Sequence, residues 1–176
     1  MRQKMKTMLV AERDRVFQGW IEAHTGILFK VARVYGATHS DREDLFQEIA
    51  LQVWHSVGAY RGDCAATTWI YRVALNTALA WRRKERRHRE GRQDIEAATR
   101  LLVAPSGRDP RLEWIYQRIA ELDAGHRAVA LLMLDGFSYR EMSQILGLGE
   151  SNVGMKINRI KASLSAQLAK EELDGL

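Results

Sequence analysis

The sequence predicts an all-α protein of two small helical domains, an N-terminal helical bundle and a C-terminal helix-turn-helix domain, joined by a flexible linker. Three observations predict it. No segment sustains period-two alternation, whereas apolar spacings of three and four recur along the chain. The two prolines, Pro105 and Pro110, fall in one short stretch where Gly, Ser and Asp also gather, which marks a seam. The 176 residues, 46% of them apolar, are enough to build two small cores. The expected boundaries are 10–92 for the first domain, 93–110 for the linker and 111–172 for the second domain.

A first helix is expected over roughly 14–36, with Phe17, Ile21, Leu28, Val31 and Tyr35 along one stripe. A second is expected to begin at Ser40, whose hydroxyl can cap free backbone N–H groups, with Glu43 three residues on as its capping-box partner. Leu45, Ile49 and Val53 form its buried ridge, widened by Phe46, Trp54 and Val57, and Gly58 and Gly62 break the pattern. A third helix is expected from about Thr67 to His88, with Trp69, Val73, Thr77 and Ala80 stacked on one face. Periodicity fades from Gly91 to Pro110, although 94–102 can be helical. A second helical block starts near Arg111 with Leu112, Ile115, Ile119 and Leu122 in register. Asp123 can cap the next helix, which carries Val129, Leu132 and Met133.

The segment Phe137–Leu164 carries the sharpest local signal. Ser138 and Glu141 can form a capping box, Met142, Ile145 and Leu146 face inward, and Gly147 suits a left-handed helix end. Ser151 can then cap a second helix whose stripe is Val153, Ile157, Ile160, Leu164 and Leu168. Two helices across a tight Gly-containing turn make a helix-turn-helix. The outward face of the second holds Asn152, Met155, Lys156, Asn158, Arg159 and Ser163. Such a helix fits a major groove, where Asn can pair with adenine and Arg or Lys with guanine or phosphate. An ordinary helical hairpin with a solvated polar face has the same spacing.

The net charge is +5, and its placement is more informative than its sum. Between Arg82 and Arg92 stand Arg82, Arg83, Lys84, Arg86, Arg87, Arg89 and Arg92 against Glu85 and Glu90, an excess equal to the charge of the whole chain. A basic surface so concentrated attracts polyanions, nucleic acid first among them, although solvated helix ends also carry such runs.

Catalytic and metal chemistry find little here. The histidines at 24, 39, 55, 88 and 126 lack partners at metal-ligand spacing, so no metal and no cofactor are expected. Cys64 is the only cysteine, which rules out an internal disulfide and fits a reducing compartment. The run Met8-Leu9-Val10-Ala11 is too short for the apolar core of a signal peptide, and no stretch can span a bilayer, so a cytoplasmic protein without membrane insertion is expected. Asp44, Gln47, Glu48 and Gln52 share one exposed helix face opposite Leu45, Ile49 and Val53. No nucleophile or phosphate loop accompanies these carboxylates, so the face suits docking to a protein better than catalysis, and an enzyme is not expected.

Taken in order, three blocks resemble the extracytoplasmic-function sigma factors of bacterial RNA polymerase. Asp41–Trp54 is similar to the family's polymerase-docking helix, D-x-E-D-L-x-Q-E-x-x-L-x-x-W. Tyr60-Arg-Gly-Asp-Cys64, followed by Thr68–Asn76, is similar to its promoter-opening loop and helix, and Leu122–Leu164 to its DNA-reading domain. The resemblance implies that Asp44, Gln47 and Glu48, in the block opened by Asp41, meet the clamp helices of core RNA polymerase. It implies that Tyr60, Arg61, Gly62, Asp63 and Cys64 enclose a base flipped from the −10 element, with Asn76 beside it. Arg82, Arg83, Lys84 and Arg86 in the basic run would hold phosphates. Ser151, Asn152, Met155, Lys156, Asn158 and Arg159 would serve the −35 element of promoter DNA. An anti-sigma factor is a further partner implied by the family. Trp69 is expected to pack in the core rather than on DNA.

One position departs from the family: Gly154 stands where the recognition helix of relatives often carries a basic residue. Gly within a helix costs roughly 1 kcal/mol relative to Ala. Either a close approach of backbone to DNA justifies it, or base reading moves to Asn152, Met155 and Asn158. Two other readings compete. A conventional helix-turn-helix regulator would leave the acidic face, the Tyr60–Cys64 loop and the basic run without a role. A nucleic-acid-processing enzyme would need a catalytic set that the sequence does not assemble.

Overall fold

The computed structural model describes the backbone of residues 2–90 and 109–174 and the side chains of residues 11–85 and 109–169. The helix expected over 94–102 and the side chains of Arg86, Arg87, Arg89 and Arg92 lie outside the described residues. The described elements are helical throughout, and they belong to two compact units, Met1–Leu102 and Val103–Leu176.

In the first unit α1 (Arg2–Tyr35), α2 (His39–Ser56) and α3 (Ala66–Glu90) form a bundle in which each helix packs against the other two. A short 3-10 turn, Val57–Ala59, leaves the end of α2. The core is Leu28, Val31, Ala32 and Tyr35 of α1, Leu45, Ile49 and Val53 of α2, and Ile70, Tyr71, Ala74, Leu75 and Ala78 of α3.

Several sequence expectations need correction. The first helix starts at Arg2 rather than near residue 14. The cap of α2 is Thr38, not Ser40: Thr38 is extended (φ −105°, ψ 172°), and its hydroxyl accepts from the Asp41 N–H at 3.1 Å. The Asp41 carboxylate accepts from the Thr38 N–H at 2.9 Å, which completes the box. Both Thr-x-x-Asp and Ser-x-x-Glu fit the capping pattern, and the residue that takes the extended backbone is the one that caps. On α3 the buried strip is Ile70, Tyr71, Ala74, Leu75 and Ala78, one strip round from the expected Trp69, Val73, Thr77 and Ala80. Of these four, Ala80 is exposed and the others are half-buried. Both strips have helical spacing, so periodicity alone does not separate them.

The second unit contains α4 (Pro110–Glu121), α5 (Ala124–Leu134), α6 (Tyr139–Leu146) and α7 (Glu150–Asp174). Pro110 belongs to the first turn of α4 rather than to the linker. Asp109 caps that turn by accepting from the Arg111 N–H at 2.9 Å, where the missing proline N–H is no loss. Helix α5 is central, packing against α4, α6 and α7. It contributes Ala128 to Leu132 to a core completed by Ile119, Met142, Ile145, Val153, Ile157 and Ile160. Leu112 and Leu168, expected inside, are 40% and 45% exposed. Asp123 and Ser138 cap α5 and α6 as the sequence suggests. Gly147 ends α6 in the left-handed region (φ 66°), its N–H bonded to the Ser143 carbonyl at 2.9 Å. Ser151, by contrast, is not a cap. Helix α7 begins at Glu150, and the Gly149 carbonyl accepts the Asn152 and Val153 N–H groups at 3.0 and 3.1 Å.

Candidate functional site

The first surface lies on α2. With Leu45, Ile49 and Val53 buried, the helix turns Asp44 and Gln47 to solvent, while Glu48 is half-buried and accepts from Gln52 Nε2 at 2.9 Å. Asp41 stands apart from them in the capping box. Sequence reasoning missed two features of this face. Leu51, three residues beyond Glu48 and four beyond Gln47, is 48% exposed, an apolar group set among the acidic and amide side chains. Its signal was an apolar residue off the buried ridge. Trp54 is braced from α1: its indole N–H donates to Asp14 Oδ1 at 2.7 Å, and the Arg13 guanidinium sits 3.5 Å over the ring.

The second surface is the loop between the 3-10 turn and α3. Tyr60 follows the turn, its N–H bonded to the Val57 carbonyl at 3.2 Å. Gly62 has φ 80°, which reverses the chain in a region that favours glycine. Arg61, Gly62 and Asp63 are exposed at the crest, while Tyr60 and Cys64 are half-buried. The Tyr60 ring meets Trp20 edge-on (centroids 5.1 Å) and Trp69 at a tilt (5.6 Å). Its hydroxyl donates to the Cys64 carbonyl at 2.6 Å. Trp69 packs beside the core, half-buried as a wedge between loop and bundle, and donates to Ser56 Oγ at 3.0 Å.

Asn76 is exposed on α3, ten residues past Ala66 and so about 15 Å along the helix axis from its first residue. Asn76 thus stands well along α3 from the helix end that the loop adjoins, rather than at one point with the loop. Arg82, half-buried, and exposed Arg83 and Lys84 continue the same helix toward its distal end.

The third surface is on α7. Val153, Ile157 and Ile160 are buried, and Ser151, Asn152, Met155, Asn158 and Arg159 are exposed, Met155 at 57%. Lys156 differs. It is half-buried, and its Nζ lies 3.7 Å from where a β-carbon on Gly125 would stand, beside the capped start of α5. There burial would raise the pKa of Asp123. Hydrogen bonds from the His126 side chain and backbone, the His126 charge and the Gly125 N–H outweigh burial and hold the carboxyl below its usual value.

At Gly154 the Tyr139 ring of α6 comes up to this turn of α7: a β-carbon there would lie 3.4 Å from its Cε2, an ordinary van der Waals contact that does not itself require glycine. Tyr139 remains 45% exposed. Among the described residues no group of three or more His, Cys, Asp or Glu side chains is gathered to hold a metal, and no helix is long and apolar enough to cross a membrane.

Comparison with known proteins bears directly on these surfaces. The family model for sigma-70 region 2 matches residues 20–88, and that for sigma-70 region 4 matches 112–164. The chain is 29% identical over 161 residues to the RNA polymerase sigma factor NccH of Alcaligenes xylosoxydans xylosoxydans, covering 87% of each protein. It is 28% identical over 167 residues to CnrH of Cupriavidus metallidurans, covering 88% of this chain and 87% of CnrH. The solved structure of CnrH with the cytosolic domain of CnrY matches at a TM-score of 0.64 and 26% identity, over 93% of this chain and 96% of that one. The sigma factor RpoE of Bartonella quintana, solved with the anti-sigma factor NepR, shares the fold at a TM-score of 0.76 and 18% identity, over 88% and 98% of the two chains. The two family matches take in more than half of the sequence and contain all three surfaces, and the chain belongs to the extracytoplasmic-function sigma factors of the sigma-70 family.

Proposed function

We propose that this sigma factor carries out promoter-specific initiation with a division of labour between its two units. The first docks on core RNA polymerase and opens the −10 element, and the second reads the −35 element. The observation that carries this reading is the polar face of α7, exposed over a buried apolar stripe, in a different unit from the α2 face and the Tyr60–Cys64 loop.

The α2 face offers Asp44, Gln47 and Glu48 to the polymerase, with Leu51 as the apolar centre that a protein interface needs and Asp41 securing the helix start. Arg61, Gly62, Asp63 and Cys64, in the loop opened by Tyr60, take up a base of the separated −10 strand. Extruding a base costs a few kcal/mol of lost stacking and pairing, which new contacts must offset. The strand then runs along α3 past Asn76 to Arg82, Arg83, Lys84 and Arg86, where charge holds its phosphates. On α7, Asn152, Met155 and Asn158 face base edges. Ser151, Arg159 and Lys156 fix the backbone, Lys156 from its position beside the start of α5.

The protein acts in the cytoplasm, where its polymerase and DNA are, and catalyses no covalent step itself. An anti-sigma factor is its third partner, a reading supported by the complexes in which CnrH and RpoE were solved.

In vitro transcription with core polymerase and this protein on fragmented genomic DNA, with starts mapped, tests the function and defines its promoters. The double variant Asp44→Lys/Glu48→Lys is expected to lose co-purification with core polymerase while remaining folded. Arg159→Ala should weaken −35 binding on every sequence, and Asn158→Ala should change base preference more than affinity. Unaltered polymerase binding by the double variant would remove α2 from the docking surface.

A further inference from the structure

We propose that Tyr60 acts as a clasp that holds the −10 loop in its base-receiving shape, as a positioning residue rather than as a platform on which the base stacks. The inference rests on the proposed capture of a −10 base by this loop and assigns a role within it.

The geometry points to the clasp in four ways. The ring of Tyr60 is already engaged, meeting Trp20 of α1 edge-on at 5.1 Å and Trp69 of α3 at 5.6 Å. Its hydroxyl spans the loop and donates to the Cys64 carbonyl at 2.6 Å, joining the first and last residues of the five. Trp69 is itself fixed, since its indole N–H donates to Ser56 Oγ at 3.0 Å, and that hydroxyl donates to the Val53 carbonyl at 2.8 Å near the end of α2. Gly62 reverses the chain at φ 80° in between. The loop is therefore tied to all three helices of its unit, and the segment between its two clasped ends, Arg61–Gly62–Asp63, is exposed.

This arrangement has a physical consequence. A loop closed only by its flanking helices would have to be ordered by the incoming base, and that entropy would weaken capture. With the ring seated between two tryptophans and the hydroxyl on the Cys64 carbonyl, the backbone groups and side chains of Arg61 and Asp63 are held before DNA arrives. The hydroxyl is the part that sequence spacing cannot value, because a phenylalanine would satisfy the aromatic cluster equally well.

Tyr60→Phe tests the clasp, because it keeps the ring and removes one oxygen. The holoenzyme, assembled from core polymerase and the variant, is titrated with a single-stranded oligonucleotide carrying the non-template −10 sequence of a promoter mapped by in vitro transcription. Affinity is expected to fall roughly fivefold, the scale of one neutral hydrogen bond. The preference among the four bases at the captured position should flatten. Core-polymerase binding and −35 duplex binding should stay at wild-type values, and the melting temperature should drop by no more than the few degrees that one hydrogen bond accounts for. Arg61→Ala and Asp63→Ala separate the clasp from the reading beneath it. If both bind the strand like wild type, the loop does not meet DNA, and the reading and the clasp fall together. If they weaken binding and Tyr60→Phe does not, the clasp alone is wrong. A Tyr60→Phe variant that loses stability and polymerase binding in step with strand binding would overturn the proposal in favour of a purely structural hydroxyl.

Discussion

Glu141 shows how one side chain can make the second unit sensitive to pH. Its carboxylate accepts from the Ser138 hydroxyl at 2.6 Å and from the Ser138 N–H at 2.8 Å, and the hydroxyl bond followed by the backbone bond pulls its pKa below the ordinary glutamate value. A group depressed on folding stabilises the fold fully above its unfolded pKa, and that stabilisation is lost as pH falls through the folded value. Glu141→Gln keeps an acceptor for the N–H but cannot titrate. Between about pH 7 and pH 3 the melting temperature of the C-terminal unit should therefore fall more steeply in wild type than in Glu141→Gln, as followed by α6 amide signals. Parallel curves would show that the box contributes nothing through its charge. This box was legible in the sequence because both partners lie three residues apart on one turn. The contact of Tyr139 with Gly154 was not, because it joins α6 to α7, and neither residue's neighbours in sequence announce it.

Elements were easier to recognise than to orient. Helical spacing and turn residues located α2, α3, α5, α6 and α7, since each has an apolar stripe and a break nearby. The start of α2 and the buried strip of α3 came out differently, because both depend on what the chain packs against. Thr38 and Ser40 are chemically equivalent caps, and Thr38 holds the extended backbone. Thr38→Ala should cost about 1 kcal/mol of stability, whereas Ser40→Ala should stay within about 0.5 kcal/mol of wild type. Urea denaturation of the two variants decides between them, and equal losses would contradict the Thr38 cap. On α3, Trp69 belongs to the edge that supports the Tyr60 loop rather than to the buried strip. A half-buried indole can reach the loop, which a fully buried one cannot. Exposed Leu51 on α2 is the converse case: an apolar residue off the buried ridge stands at the surface, where the proposed docking face would use it.

At the scale of the whole molecule, charge is concentrated in one place. The net charge of +5 equals the excess in Arg82–Arg92, so a single short stretch of chain holds the basic excess on which the proposed phosphate track depends. Replacing Arg82, Arg83 and Lys84 with Gln should leave polymerase docking intact and flatten the salt dependence of promoter binding. The log–log slope should drop by about 0.7–0.9 for each phosphate contact removed. Holoenzyme titrations at several salt concentrations measure it, and an unchanged slope would place the phosphate track elsewhere. Sequence alone was enough for the all-helical class, the two-domain order, the helix-turn-helix with the caps of α5 and α6, and the location of the basic run. These features arise from spacing, turn chemistry and charge, which act between residues close in the chain. Packing had to decide that Thr38 caps α2, that Tyr139 lies against Gly154, that Lys156 leans on α5, and that Trp20 and Trp69 seat Tyr60. Each of these depends on side chains from different elements meeting in space, or on which of two equivalent local patterns the packing selects, and periodicity along one helix contains neither.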